Sequence, residues 1–258
     1  MREAFGQAKP QVMSEAQDKR EPGLPTVDVQ EYGGKRDGVR QAMNRRLFMQ
    51  LLVYDVDDKA ADREGNVVAS RLREAHVPAV VYADTMDPRS MGVLTWSEDP
   101  AHFVRSVRPH LQSSALRPRR DFAMLGRTYA TGHEPDLEHA LLRRAVENVT
   151  NEAYPWHVWY PLRRKGEFAT LEAHQQSQIL REHAQLGMAY GAQELAHDIR
   201  LACHGIDAGD NEFVIGLVGR ELHPLSHLVQ AMRKTRQTSE FIAKMGPFFV
   251  GYVLHRVA

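Results

Sequence analysis

The sequence predicts an α+β fold of two tandem ferredoxin-like units, and three observations lead there. Short apolar runs of strand length alternate with stretches of helical spacing. The order β-α-β-β-α-β reads once between residues 47 and 129 and again between residues 157 and 254. Both readings are punctuated alike after the third strand, by Ser97-Glu98-Asp99-Pro100 in the first and by Arg220-Glu221-Leu222 with Pro224 in the second.

In the first unit, Leu47–Tyr54 is a mostly apolar strand. Asn66–His76 places Val67, Val68, Leu72 and Ala75 at helical spacing, and Pro78 stops it. Ala79–Ala83 and Gly92–Trp96 read as strands. Asp99-Pro100 opens a helix with Phe103, Val104, Val107 and Leu111 on one face, proline being well tolerated in a first turn. Phe122–Tyr129 is the fourth strand. In the second unit, His157–Leu162 is a strand and Leu171–Tyr190 a long helix; Asp198–His204 and Phe213–Val218 are strands. Leu222–Thr235 is a helix with Leu225, Leu228, Val229 and Met232 inward, and Pro247–Leu254 is the last strand. Residues 1–43 have no sustained period and read as a flexible N-terminal arm. The units then span residues 44–133 and 134–258, the second opening with a connection around Glu134–Tyr154. Their antiparallel sheets are expected to associate back to back, as a dimeric α+β barrel.

Bulk properties narrow the function. Lys+Arg and Asp+Glu both number 33, which argues against a nucleic-acid or membrane-surface protein. No window approaches the roughly 18 uninterrupted apolar residues of a membrane span. The first residues lack a signal-peptide apolar core, so a cytoplasmic location is expected. Cys203 is the single cysteine, which excludes an intramolecular disulfide and a Cys-based zinc site. No HExxH spacing, Gly-rich phosphate loop or G-x-S-x-G elbow is present.

The chemistry-bearing residues gather in the second unit. Trp159, Tyr160 and Pro161 close an apolar run; Arg163, Arg164 and Lys165 follow; then a helix carries Arg181-Glu182-His183. Ile179, His183, Leu186 and Tyr190 share one stripe, so His183 faces the sheet. Two readings of that imidazole stay open: a core histidine satisfied by a hydrogen bond, or an axial ligand to haem iron, a role suited to neutral imidazole on a rigid helix. Arginines become relevant to the second reading because porphyrins carry carboxylates, which guanidinium pairs bidentately. On the strand Ala196–His204, Asp198, Arg200, Ala202 and His204 share a face, which must meet solvent or line a polar cavity.

In order over residues 154–253, these pieces resemble the chlorite dismutase superfamily, and within it the coprohaem decarboxylases of bacterial haem synthesis. The matching residues are Tyr160-Pro161 with Arg164, Arg181-Glu182-His183 with Gly187 and Tyr190, Gly205-Ile206-Asp207 before Asn211-Glu212-Phe213, Met232-Arg233, Ser239, and Gly246-Pro247-Phe248-Phe249-Val250-Gly251. The resemblance implies that His183 is the proximal haem ligand and that 134–258 is the haem-binding unit, with 44–133 lacking haem. It implies that Tyr160 is the tyrosine that becomes a radical and attacks a propionate, and that Arg164 and Ser239 bind propionates. A further propionate-binding arginine from the preceding segment is implied; Arg143 or Arg144 could supply it. The family's distal residue falls on the strand before Gly205, where Ala196, Asp198 and Arg200 are the alternatives.

The implied activity is peroxide-dependent oxidative decarboxylation of coprohaem III to haem b, with porphyrin and hydrogen peroxide as partners and a homo-oligomer, often a pentamer in that family. Chlorite decomposition, which requires a distal arginine such as Arg200, is the enzymatic alternative. A non-enzymatic haem carrier or sensor is the other.

Overall fold

The computed structural model describes residues 24–56 and 61–257; residues 1–23 of the expected arm lie outside them. Within the rest of that arm, residues 31–43 form regular structure. β1 (Glu31–Arg36) and β2 (Val39–Met43) pair as an antiparallel hairpin. Asp37 and Gly38 turn it with φ of 53° and 80°, the two-residue turn chemistry of an Asp-Gly hairpin. The Gln41 side chain fastens the hairpin to the rest, donating to the carbonyls of Glu134 and Pro135 at 3.1 Å and accepting from the Leu137 N–H at 3.0 Å.

The first unit follows the expected order. It comprises β3 (Phe48–Val56), α1 (Ala61–Glu74), β4 (Ala79–Asp84), β5 (Ser90–Ser97), α2 (Arg108–Leu111) entered through a π-turn at Phe103–Val107, the short β6 (Leu116–Pro118), and β7 (Met124–Thr128). The connection to the second unit is itself helical, ending in α3 (Arg144–Thr150). Leu137, Leu141, Ala145 and Val149 are buried at a spacing of four, one stripe of a helix facing inward. The second unit then runs β8 (Trp156–Arg164), α4 (Ala173–Ala192), β9 (His197–Ala202), β10 (Phe213–Gly219), α5 (Leu222–Met232), α6 (Arg236–Phe241), β11 (Ile242–Met245) and β12 (Phe249–Val257). The helix expected over Leu222–Thr235 breaks after Met232, where Thr235 turns out of helical geometry to cap α6.

Within each unit the strands order as a ferredoxin-like sheet, β7-β3-β5-β4 and β9-β10-β8-β12. The sheets face each other across a shared core, as an α+β barrel, and also join edge to edge, antiparallel, through β7–β9 and β4–β12. The ring of eight strands is closed, which removes the exposed edges that open sheets must otherwise protect.

The barrel interior is one shared core. Met49, Leu51, Val53, Tyr82 and Leu94 from the first unit meet Trp159, Leu201, Val214, Val218 and Phe249 from the second. Trp159 lies over Gly216, its register partner on β10, where an added Cβ would sit 2.6 Å from the indole. Glycine at that point lets the largest side chain of the core lie across the sheet.

Outside the barrel, the two helix–sheet layers differ. Among the described residues, the first unit's layer holds sixteen buried apolar residues and four partly buried ones. The second unit's layer holds eight buried residues and eleven partly buried ones. The same architecture is therefore closed on one side and left open on the other.

His157, fully buried in the barrel, links the units. Its Nε2 donates to the Tyr154 carbonyl at 3.0 Å, so its Nδ1 accepts from the Tyr82 hydroxyl at 2.9 Å. Burial holds its pKa down to about 3. The unfolded chain therefore binds this proton more readily than the folded one, and stability is lost as pH falls below the ordinary imidazole value. Between pH 7 and 5 that loss is on the order of 2 kcal/mol from this residue. Urea denaturation at the two pH values should show it in the wild type and show a smaller difference in His157→Gln; an unchanged pH dependence in the variant contradicts the assignment.

Candidate functional site

The open layer of the second unit is spanned by α4, and the helix is pinned at its ends. Toward its start, Gln175 reaches back to the Glu172 N–H at 3.2 Å, and Ile179 is buried with Phe168 and Phe241. Toward its end, Tyr190 is buried against Leu225 and Leu228, its hydroxyl bonded to His227 Nδ1. Of its 20 residues only Ile179 and Tyr190 are fully buried. His183, Leu186 and Gly187, on the inward stripe between these anchors, are only half-buried. The middle of the helix is thus less buried than its two anchored ends.

The sheet face opposite is set by strand alternation and register. Val158, Tyr160, Leu162 and Arg164 point outward from β8; Phe213, Ile215 and Leu217 from β10; Asp198 and Arg200 from β9. Ile215 pairs with Tyr160 on one side and Arg200 on the other, so the three form one transverse row. Two strand spacings separate Tyr160 from Arg200, about 10 Å. Asp198 belongs to the next row, opposite Leu217 and Val158.

His183 Nδ1 lies 3.2 Å from Thr235 Oγ1, and the Thr235 hydroxyl is 2.7 Å from the Met232 carbonyl. A carbonyl can only accept, so the hydroxyl hydrogen goes to Met232 and Nδ1–H donates to Thr235. That fixes the tautomer and leaves Nε2 with a free lone pair. Burial lowers the pKa of His183, and the positive charge of Arg200 lowers it further, which favours the neutral ring. Glu182 accepts from the Arg236 N–H at 3.2 Å, tying α4 to the start of α6 beside Thr235.

Tyr160 is buried and stacks on Phe248 with ring centroids 4.5 Å apart. Its hydroxyl has no hydrogen-bond partner among the described residues. Burial, with the nearby Asp198 carboxylate, raises its pKa well above the ordinary phenol value, so it carries its proton at any physiological pH.

The charged residues form a chain. Arg200 Nε lies 2.9 Å from Asp198 Oδ2 as an ion pair, and Arg144 Nη2 donates to Asp198 Oδ1. Burial would raise the Asp198 pKa, but Arg200 and Arg144 outweigh it and keep the carboxyl ionised. Arg143, by contrast, pairs with Asp136 at 3.9 Å. Arg164 lies at the end of the same β8 face, its Nε on Glu212 at 3.0 Å and its guanidinium between Phe168 and Phe213 at 4.6 and 4.7 Å. Ser239 is exposed on α6, its hydroxyl donating to the Thr235 carbonyl at 3.0 Å.

Tyr160, His183, Asp198, Arg200 and Arg144 are thus gathered around one layer. Thr235 and Ile215 are site residues that the sequence alone does not single out, and Phe248 and Glu212, quoted there only as matching residues, prove to contact Tyr160 and Arg164. Ile215 was legible in principle from strand alternation; Thr235 was not, because it was read as the last turn of a helix. The hydrogen-bond assignment has a direct check: ¹⁵N NMR of the protein should find His183 protonated on Nδ1 and titrating below the ordinary imidazole value. Thr235→Val should lose the tautomer preference; a proton on Nε2 in the wild type contradicts the geometry.

Residues 90–254, well over half of the chain, match the family model for chlorite dismutase. Among solved structures, a haem-binding protein from Thermus thermophilus superposes with a TM-score of 0.64 at 15% identity, over 82% of this chain and 92% of that one. Chlorite dismutase from Candidatus Nitrospira defluvii, in complex with imidazole, superposes with a TM-score of 0.62 at 11% identity, over 83% and 93%. No curated protein sequence matches the chain. At such identities the structural likeness speaks for the fold, and the extent of the family match speaks for descent: this chain belongs to the chlorite dismutase family.

Proposed function

We propose that the second unit binds an iron porphyrin through His183 and that the protein uses Tyr160 in the peroxide-dependent decarboxylation of coprohaem III to haem b. The observation that carries the reading is the pairing across the open layer: a neutral imidazole with Nε2 free on α4, facing a buried phenol whose hydroxyl has no partner among the described residues. The Tyr160 ring is buried, but its hydroxyl is not among the fully enclosed atoms that lack a partner, so it is open to a group from outside the chain. A substrate propionate edge is a fitting one.

The donor set supports a porphyrin over a bare ion. Among the described residues no group of three or more His, Cys, Asp and Glu could hold a metal. A metal at His183 needs its remaining ligands from outside the protein, and a tetrapyrrole brings four. The partly buried apolar residues around the layer, among them Leu186, Ile215 and Met232, suit a flat apolar macrocycle. When bound, coprohaem supplies both the redox iron and the propionates to be cleaved.

The protein's share is positioning and proton control. Tyr160, held by Phe248 and kept protonated by burial, gives up its hydroxyl hydrogen and regains one from the β-carbon of the propionate. The propionate then loses carbon dioxide and becomes a vinyl group. Each round removes two electrons and one proton from the propionate, and one hydrogen peroxide, with two protons, takes up the electrons and leaves as two waters. Arg164 and Ser239 are the proposed propionate partners; Arg164 would exchange its Glu212 contact for the substrate carboxylate.

A specific observation favours a second reading. Arg200 stands in the same row as Tyr160, and an arginine beside the bound porphyrin is what chlorite decomposition would use. The two readings separate in one experiment. Protein loaded with coprohaem and given peroxide should show two successive losses of a formic-acid equivalent in the porphyrin mass. Tyr160→Phe should bind coprohaem as the wild type does and convert none of it, whereas His183→Ala should lose the Soret band of the bound state. Full turnover by Tyr160→Phe rules out the decarboxylase reading, and oxygen release on adding chlorite supports the second.

A further inference from the structure

The chain Arg144–Asp198–Arg200 does something that a distal arginine alone does not. Asp198 and Arg200 are two residues apart on β9, so the pleat puts them on one face and their pairing runs along the strand. Asp198 cannot drift from that position, because its other carboxylate oxygen and its backbone carbonyl are both held by Arg144. Both carboxylate oxygens are therefore committed to arginine. Arg200 faces the pocket in the row of Ile215 and Tyr160, with its charge neutralised at Nε from behind. The surplus positive charge of the trio sits on Arg144, on the far side of Asp198. All three residues border a small cavity of about 60 Å³ at the seam of the two units, with Tyr129 and Glu134.

We propose that Asp198 is a specificity-determining residue: by neutralising Arg200 at the pocket it lowers the affinity of the site for anionic ligands and leaves neutral ones, hydrogen peroxide included, unaffected. The inference rests on the proposed haem site and deepens it. A bare guanidinium beside the iron would favour a chlorite-like anion; a guanidinium bound to a fixed carboxylate favours it far less. Arg144 acts at one remove, by keeping part of the Asp198 charge occupied. Arg144 and Asp198 are positioning residues in this role, and neither touches the ligand.

The test compares an anion with a neutral ligand on the haem-loaded ferric protein, following the Soret band during titration with azide and with imidazole. Asp198→Asn should raise azide affinity roughly tenfold, the scale of one unit charge acting over about 10 Å near a protein surface. Imidazole affinity should stay within about twofold. The azide gain should shrink as salt is raised and vanish in the double variant Asp198→Asn, Arg200→Gln. Arg144→Gln gives an independent arm in the opposite direction: with Asp198 less compensated, azide affinity should fall. An azide-to-imidazole ratio unchanged in both single variants, or one that moves with imidazole as much as with azide, overturns the proposal. A missing Soret band in the wild type overturns instead the haem reading beneath it.

Discussion

The functional half of this protein depends on a helix anchored at both ends over a sheet it does not fill. Ile179 and Tyr190 hold α4 down through separate apolar clusters, eleven positions apart in the sequence. A helix rises 1.5 Å per residue, so the two anchors stand about 16 Å apart along its axis. Between those anchors His183, Leu186 and Gly187 are only half-buried. Were the layer packed as in the first unit, His183 would be an ordinary core histidine. Because it is not, the same residue is half-buried, with Nδ1 on Thr235 and Nε2 without a partner among the described residues.

The rigidity behind that opening comes from the barrel. Closure through β7–β9 and β4–β12 fixes the register of every strand, and a slip by one residue would turn Tyr160 and Arg200 to the wrong face. Trp159 fills the interior against Gly216, so its neighbour Tyr160 must point outward. The shared core thereby aims the site. Thr235 completes the frame from the helix side: it follows the end of α5, caps α6 and receives His183, so one residue couples the helix break to the tautomer of the imidazole.

Much of this was legible in the sequence where periodicity governs structure. The main strands of the two ferredoxin-like units were readable from their apolar runs and alternation, and the shared face of Asp198 and Arg200 followed from it. The position of His183 followed from helical spacing. What was not legible depends on contacts between distant segments. The Arg144–Asp198 pair joins residues 54 positions apart, and Arg164 meets Glu212 across 48. The edge-to-edge joining of the sheets likewise needs the register of strands far apart in sequence. Two misses were local and avoidable: Asp37-Gly38 is a hairpin signal, and Leu137, Leu141, Ala145 and Val149 keep helical spacing through a segment read only as a connection. The resemblance to a known family supplied the chemistry that spacing alone left open at His183 and Tyr160.

The central claim is that a porphyrin binds between α4 and the Tyr160–Ile215–Arg200 row. A crystal structure of the coprohaem complex tests it most directly. The expected result is iron bound to His183 Nε2, with Nδ1 still on Thr235, and the macrocycle lying over Ile215 with a propionate edge at the Tyr160 hydroxyl. Iron ligated by another residue, such as His204 or His227, or a porphyrin seated against the first unit, would contradict it.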